Sequence, residues 1–330
     1  RRTGWPDPAV PVRQFWRVQA RQRWLSAAAA GCASVGALAV IMMLDTPPAL
    51  GGAGGAPLQL DVARTTPGRG AGRAAPDGRD LAWIIPRLQP LHERMGPSQP
   101  GDWLRQHRER GQTYAEYLSS HPTTARGRRR VIVLQPIGEF EPAERRVLEL
   151  TAELMARYFC LPVKTMTPIP STAFPAVAQR RHPRWGVHQL HSGYILDRVL
   201  KPRLPADAAC YLGLTAIDLW PGRGWNFVFG QASLRDRVGV WSLHRNGDLR
   251  GSPAQRRLFL LRTFKTATHE TGHMFGIRHC TAYECNMCGS NNRAESDRRP
   301  IALCPQCAPK LIWATGCDPV RRYQGLAAFF

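Results

Sequence analysis

One short run at positions 268–279 constrains this chain more than any other feature: it reads T-H-E-T-G-H-M-F-G-I-R-H. His269 and His273 are four residues apart, so a helix places both imidazoles on one face, where they can bind a single metal ion. Gly276 permits a sharp turn after that helix, because glycine tolerates positive φ. His279 can then return as a third ligand. The spacing therefore predicts a long helix, a turn and one three-histidine metal site.

The same run predicts the chemistry of the site. Three protein ligands leave a fourth position open for water, as a catalytic zinc ion requires. Glu270 directly follows the first histidine and can reach that water without being a ligand, so we predict that it is the general base. A buried helix with two core histidines is the plain alternative, but it explains neither Gly276 nor His279. We expect a zinc-dependent hydrolase of peptide bonds, although such a site could also hydrolyse a non-peptide amide.

Five of the nine cysteines fall between positions 280 and 307, which is typical of a metal site rather than of a disulfide framework. Thiolate clusters select zinc, and four of them close a structural tetrahedral site. Spacing leaves two ligand sets open. One is Cys280, Cys285, Cys304 and Cys307; the other replaces Cys280 by Cys288 and has ordinary zinc-ribbon spacing. We expect Cys160, Cys210 and Cys317 to be core or surface thiols.

These residues resemble the archaemetzincin family of metallopeptidases, in which H-E-x-x-H-x-x-G-x-x-H-C is followed by C-x-M and then by C-x-x-C. Every element is present, from His269 to Cys307. The resemblance covers about residues 80–315. Upstream and downstream segments that also resemble the family lie at 101–104, 112–114, 134–136, 212–215, 225–232 and 298–300.

The resemblance implies two zinc ions per chain, one catalytic and one structural. It implies that Met287 forms the turn beneath the catalytic zinc. It also implies the first ligand set for the structural zinc, with Cys288 as a departure from the family pattern and an alternative ligand. The segment at 225–232 resembles the sheet edge along which metzincins bind an extended peptide or protein substrate.

The order of the predicted elements indicates a mixed α/β domain with a twisted sheet and a long active-site helix, a metzincin-like zincin catalytic domain. Residues 81–320 are expected to form this domain. Strands are predicted over 130–137, 162–170, 210–215, 226–229 and 238–243, and helices over 142–159, 192–200 and 258–275.

Three segments precede that domain: a basic tail over 1–24, an apolar segment over 25–44 and a Gly/Pro/Ala-rich linker over 45–80, which we expect to be disordered. The apolar segment contains no charge and is long enough to span a bilayer core of roughly 30 Å. It is a transmembrane anchor, a cleaved targeting signal or an extension without either role. The chain is accordingly expected to be cytoplasmic or membrane-anchored.

The formal net charge of +21 and the pI of about 10.7 permit binding to anionic partners but identify none. No basic run carries interleaved aromatic residues in a recognisable nucleic-acid-binding motif, so we expect no nucleic-acid partner. The rival hypothesis is a catalytically weak zinc-binding module that binds a protein or nucleic-acid partner through its basic surface. An intact Glu270 argues against it, since a purely structural site needs no base.

Overall fold

The structure, a computed structural model, describes residues 81–82 and 84–330. The tail, apolar segment and linker predicted over 1–24, 25–44 and 45–80 lie outside the described residues. Among the helices that are described, none has both the length and the hydropathy that a membrane span needs.

The strands of the described chain form two sheets. The larger sheet has the order β2-β1-β5-β8-β7, and its pairs are parallel except for the antiparallel edge strand β7; the smaller has the order β3-β4-β6. This mixed α/β architecture is the fold class that the sequence predicts. The strands are β1 (Val131–Ile137), β2 (Val163–Thr165), β3 (Gln179–Arg181), β4 (His188–His191), β5 (Ala208–Thr215), β6 (Asp218–Trp220), β7 (Gly230–Ala232) and β8 (Val238–Ser242).

Helices cover both faces of the larger sheet. The α-helices are α1 (Ile84–Leu88), α2 (Trp103–Gln106), α3 (Tyr114–Ser119), α4 (Pro142–Phe159), α5 (Ser192–Tyr194), α6 (Pro253–Met274), α7 (Arg293–Arg298), α8 (Cys307–Thr315) and α9 (Pro319–Phe329). Helix α5 continues into a π-helix over Ile195–Leu200, and short 3₁₀ turns cover Gln89–Leu91, Ser171–Ala173, Ala176–Ala178 and Lys201–Arg203.

Strand β1 shows why the core has two halves. Its residues alternate between faces, so Ile132 and Leu134 join the apolar cluster that contains residues of α4 and α6, while Val133 joins the cluster on the other face. Both clusters are buried. A parallel strand covered on both sides reads as a continuous apolar run, which is why β1 could be predicted without any alternation.

Helix α6 carries the histidine motif, and its two ends are fixed by local signals. At its start, Ser252 and Gln255 form a reciprocal capping box and Pro253 occupies the first turn. The predicted start at 258 was therefore too late, because it followed the apolar residues and missed the cap. At its end, the N–H of Gly276 donates to His273 O at 2.8 Å and the N–H of Ile277 to Gly272 O at 3.2 Å, a Schellman turn.

Two strand predictions were wrong in extent. The segment predicted over 226–229 pairs only through an isolated bridge between Val228 and Leu219, and the edge strand begins at Gly230 instead. Side-chain contacts hold the segment: the Arg245 guanidinium lies 3.6 Å from the centre of the Phe227 ring. The strand predicted over 162–170 is confined to β2, since prolines at 168 and 170 remove backbone donors.

The C-terminal region differs from the sequence expectation. Cys160 and Cys317, expected to be thiols, form a disulfide with a Cα–Cα distance of 5.5 Å. The bond joins the end of α4 to the segment before α9. Arg322 of α9 is buried, donates from Nε to Tyr158 O at 2.7 Å and lies over the Tyr158 ring. These contacts fix α9 against α4, a packing arrangement that has no signature in the sequence.

Candidate active site and second metal centre

The structure brings His269, His273 and His279 together. The first two project from the same face of α6, and the turn at Gly276, where φ is +80°, returns the chain so that His279 faces them. One ring nitrogen from each of the three lies within 4.8 Å of the others. His269 Nε2 and His273 Nε2 are 2.9 Å apart. Two imidazole nitrogens at this distance repel each other unless a cation or a proton lies between them.

The other ring nitrogens of the helical histidines are occupied. His269 Nδ1 lies 2.7 Å from Asn286 O, and His273 Nδ1 lies 2.7 Å from Ile277 O. A backbone carbonyl can only accept, so Nδ1 of each ring is the donor and Nε2 presents its lone pair. Burial lowers the pKa of His269 to about 3 and holds the pKa of His273 well below its usual range. Both rings are therefore neutral, as metal ligands must be.

The third histidine has a partner that the sequence analysis missed. His279 Nδ1 lies 3.0 Å from both carboxylate oxygens of Glu109. Burial alone would raise the pKa of Glu109, but the hydrogen bond and charge of His279 outweigh it and lower that pKa. A carboxylate that accepts from a histidine fixes the tautomer of a ligand ring. The two residues are 170 positions apart, and no spacing rule connects them.

Glu270 is buried between α6 and the edge strand. Its side chain lies directly against Gly230, where an added Cβ would come within 2.5 Å of Oε1. Burial raises the pKa of Glu270 to about 8. The carboxyl group lines the same cavity of about 480 Å³ as the three histidines. Its position beside them, where no other described residue of the cavity lining carries a carboxyl group, suits a general acid and base.

The same cavity extends along the sheet edge. Strand β7 and the segment before it form one wall, and the indoles of Trp103 and Trp225 stand at its mouth. Trp103 contacts the third histidine edge-to-face, with 5.2 Å between the ring centres of Trp103 and His279. The cleft therefore offers an open strand edge next to the three histidines.

Met287 packs against helix α6, with its sulfur beside Gly272. It is fully buried, and its carbonyl accepts from Cys280 N at 2.8 Å. The preceding residue, Asn286, donates from Nδ2 to Thr268 Oγ1 at 2.8 Å and accepts from His269 through its carbonyl. The turn around Met287 thus supports His269 through backbone contacts, which the sequence does not reveal.

Four cysteines form a second, fully protein-enclosed group. The sulfurs of Cys280, Cys285, Cys304 and Cys307 lie within 4.8 Å of one another, and all four residues are buried. Cys288 is outside this group, and its thiol donates to the Tyr283 carbonyl at 3.3 Å. Of the two ligand sets that spacing leaves open, the structure brings together the one with Cys280.

The thiols of the second group differ in acidity: the pKa of Cys280 is lowered, whereas burial raises the pKa of Cys285 and the hydrogen bond with Cys280 raises the pKa of Cys307. Hydrogen bonds from Cys285 and from the other thiols hold the pKa of Cys280 far below its usual range. Backbone N–H groups of Cys304 and Met287 also point at Cys285 Sγ, at 3.3 and 3.5 Å. Such donors stabilise negative sulfur. The donor set fits a four-coordinate zinc ion.

Comparisons with known proteins agree with these two groups. The sequence profile of Peptidase family M54 matches residues 208–312. Archaemetzincin-2 of Macaca fascicularis is 37% identical over 273 residues, which cover 72% of this chain and 75% of that protein. Archaemetzincin-2 of Homo sapiens is 36% identical with the same coverage. The crystal structure of archaemetzincin from Archaeoglobus fulgidus, complexed with malonate, is 30% identical, with a TM-score of 0.43, 55% of this chain covered and 99% of that one.

The sequence relatives define the class of protein: this is a zinc metallopeptidase, which acts on peptide or protein substrates. The chain belongs to the archaemetzincin family. The resemblance found in the sequence is thereby confirmed.

The buried Glu270 carboxyl predicts a pH-dependent stability for the metal-free protein. Its folded pKa of about 8 lies above its ordinary value of 4.5, so the folded chain keeps a proton that the unfolded chain releases. Stability from this group is complete below pH 4.5 and is lost as the pH rises toward 8. Replacement by neutral glutamine removes that loss. The free energy of unfolding of Glu270→Gln, relative to that of wild type, should therefore increase by about 2–4 kcal/mol from pH 5 to pH 8.

Urea unfolding of both proteins with chelator at the two pH values measures this difference. Glu149→Gln, a change at an exposed carboxylate, is the matched control and should show a difference that does not vary with pH. A Glu270→Gln difference equally constant with pH would contradict the burial of this charge.

Proposed function

We propose that this archaemetzincin hydrolyses peptide bonds with one zinc ion held by His269, His273 and His279 and with Glu270 as the general base. One observation carries the proposal. Three imidazoles converge through one nitrogen each, with the other nitrogen of each ring engaged by an oxygen, beside a buried carboxyl group. That arrangement fits a catalytic zinc ion with room for substrate.

The chemistry divides between the ion and the chain. When bound, zinc supplies Lewis-acid catalysis, which polarises the scissile carbonyl and acidifies water. Glu270 accepts the proton of the attacking water and then delivers it to the leaving amine. Its burial supports both steps, because a carboxylate shielded from bulk water is a stronger base than an exposed one.

Substrate binding follows from the edge strand. Strand β7 pairs with β8 on one side only, and Gly230 to Ala232 line the cleft. An extended peptide can pair with the open backbone edge, which gives affinity with little dependence on side chains. The carboxyl of Glu270, lying against Gly230, would then face the peptide bond held there.

A second zinc ion, held by Cys280, Cys285, Cys304 and Cys307, is proposed to be structural. The group is closed and buried, so it leaves no room for substrate. Cys280 directly follows His279, and adjacent residues cannot move independently. We therefore assign to this ion the role of fixing the loop that carries the third histidine.

The domain organisation is part of the proposal. Residues 81–320 are assigned to the peptidase domain, and 1–24, 25–44 and 45–80 to a tail, an apolar segment and a linker that precede it. The assignment is supported by the family match, which falls entirely within 81–320.

The decisive test measures zinc content and peptide cleavage together on the full chain. Wild type and Glu270→Ala should each hold two zinc ions by mass spectrometry. Cleavage of a mixed peptide library should fall about 10³-fold or more in Glu270→Ala, because the proton transfer is lost and the ligands are not. Glu149→Ala, at an exposed carboxylate, should match wild type.

Two zinc ions without cleavage by wild type would favour the catalytically weak binding module. One zinc ion in both proteins and no cleavage would reject both the site and its chemistry.

Glu109→Gln should weaken binding of the catalytic zinc about 10- to 100-fold, because the amide no longer gives His279 Nδ1 a charged acceptor. Competition with a fluorescent chelator measures the affinity, and the four-cysteine zinc serves as an internal reference that should not change. Glu139→Gln, at an exposed position, is the control. Equal zinc affinity in all three proteins would show that Glu109 does not orient the ligand.

Cys304→Ser should release the structural zinc and also weaken the catalytic site, since the loop after His279 loses its anchor. Cys288→Ser removes a buried thiol outside the four-sulfur group and should retain both ions. Titration of each variant with zinc, followed by chelator competition, gives both affinities. Full affinity for the catalytic zinc in Cys304→Ser would show that the two metal sites are not coupled. Loss of the structural zinc from Cys288→Ser would instead favour the ligand set that contains Cys288 in place of Cys280.

A further inference from the structure

The cavity beside the histidines has a basic wall that the proposed mechanism does not use. Lys265, Arg293 and Arg299 line it together with His269 and Glu270. Resting on the peptidase function proposed above, we infer that this basic wall binds a carboxylate of the peptide substrate next to the bond that is cleaved. The carboxylate belongs either to an aspartate or glutamate side chain or to the substrate C-terminus.

Lys265 lies one helical turn before His269 on α6 and is buried, with 4% of its surface exposed. Its ammonium group donates to two backbone carbonyls, those of Ser296 and Arg299, the second at 2.7 Å. An ammonium has three donors, so one remains. Within residues 81–82 and 84–330, Lys265 forms no salt bridge. Its direct partners are therefore backbone dipoles, while the charge of Asp297 acts on it from beyond salt-bridge distance, and a buried charge favours a closer counterion.

Arg293 repeats this arrangement on the neighbouring wall. Its guanidinium lies 3.7 Å from the centre of the Phe229 ring and donates to the Arg245 carbonyl at 2.9 Å and to the Asn246 side-chain oxygen. All three partners are uncharged groups. Across the described chain, no carboxylate pairs with it and Nη1 has no hydrogen bond. A guanidinium in this position can still donate to an anion in the cavity.

Arg299 completes the wall. Its side chain is 9% exposed and forms ion pairs with Glu284 and, at 3.7 Å, with the buried Glu295. Its Nε–H is buried and has no hydrogen-bond partner in the described structure. Buried donors in folded proteins are nearly always paired, so this one indicates a partner that the chain itself does not supply.

Nearby arginines outside the cavity show the contrast. Arg245 pairs with the buried Asp218 at 2.7 Å, and Arg262 pairs with Asp297. Carboxylates are thus available to neutralise basic side chains in this region, yet no described carboxylate forms a salt bridge with Lys265 or Arg293. Asp297, whose charge acts on both, is paired with Arg262. Glu270 is the one carboxyl among the described residues that line the cavity. Among the charged side chains of this described lining, three are basic, Lys265, Arg293 and Arg299.

The pKa shifts agree with this geometry. Burial lowers the pKa of Lys265 to about 7 and that of Arg293 to about 9. In both cases neighbouring arginines add to the effect. A substrate carboxylate placed between the two groups would reverse the shifts, and the cavity of about 480 Å³ has room for a side chain of this size.

The test uses eight peptides that share one cleavable sequence and differ in charge. Glutamate or glutamine is placed in turn on each side of the scissile bond, and each peptide is made with a free or an amidated C-terminus. We expect kcat/KM of the full-length zinc-loaded enzyme to be at least 10-fold higher for one carboxylate-bearing peptide than for its neutral partner. A preference for glutamate over glutamine identifies the side chain as the carboxylate that is bound, and a preference for a free over an amidated end identifies the C-terminus.

Binding gives a second readout that does not need turnover. The same peptides are titrated by calorimetry into Glu270→Gln, which keeps the basic wall. The preferred peptide should bind about 10-fold more tightly than its neutral partner. Lys265→Gln should reduce that ratio to about 2-fold or less, whereas Lys201→Gln, at a surface lysine, should leave it unchanged. Arg293→Lys, which retains the charge, should preserve most of it.

Equal cleavage and equal binding of all eight peptides by a wild type that is otherwise active would overturn this inference and leave the peptidase function intact. Absence of any cleavage by the zinc-loaded wild type would reject the peptidase function, and a charge preference in binding alone would then assign the basic wall to a carboxylate ligand that is not a substrate. Circular dichroism and zinc content of Lys265→Gln separate loss of preference from loss of fold, and Arg293→Gln repeats the test if Lys265→Gln does not fold.

Discussion

The end of helix α6 determines the geometry of both candidate metal sites. After the helix, two backbone hydrogen bonds at Gly276 and Ile277 reverse the chain direction. The reversal brings His279 opposite the two helical histidines and places Cys280 among the other cysteines. A straight continuation of the helix would separate these ligands by several turns. The rest of the site therefore depends on this one turn, which only a residue tolerant of positive φ can form without strain.

The histidines are held mostly by backbone rather than by side chains. Asn286 and Ile277 contribute carbonyl oxygens to His269 and His273, and Glu109 is the one side chain that holds a ring in this way among the described residues. Carbonyl positions depend on the fold, not on residue identity. The site is therefore oriented by the turn around Met287 and by the end of α6, and the catalytic domain would lose its ligand geometry if either packed differently.

Local sequence patterns predict part of the fold and part of the site. The spacing of His269 and His273, the apolar run of β1 and the limits of α4 all follow from periodicities that span a few residues. The remainder depends on contacts between distant positions. Glu109 meets His279 across 170 residues, and Cys160 pairs with Cys317 through the docking of α9. The edge strand β7 was missed because a strand paired on one side needs little apolar alternation. The aromatic residues before it favoured a strand over 226–229, but their side chains are held by stacking contacts instead.

The contact between Glu270 and Gly230 limits how this sequence can vary. Most positions on an edge strand accept many residues, since they pair through backbone atoms and their side chains point to solvent or to a groove. Position 230 is different, because the space that a side chain would fill is already occupied by the buried carboxyl. Even alanine would push Glu270 away from the histidines. Natural relatives that retain activity should therefore keep glycine at this position.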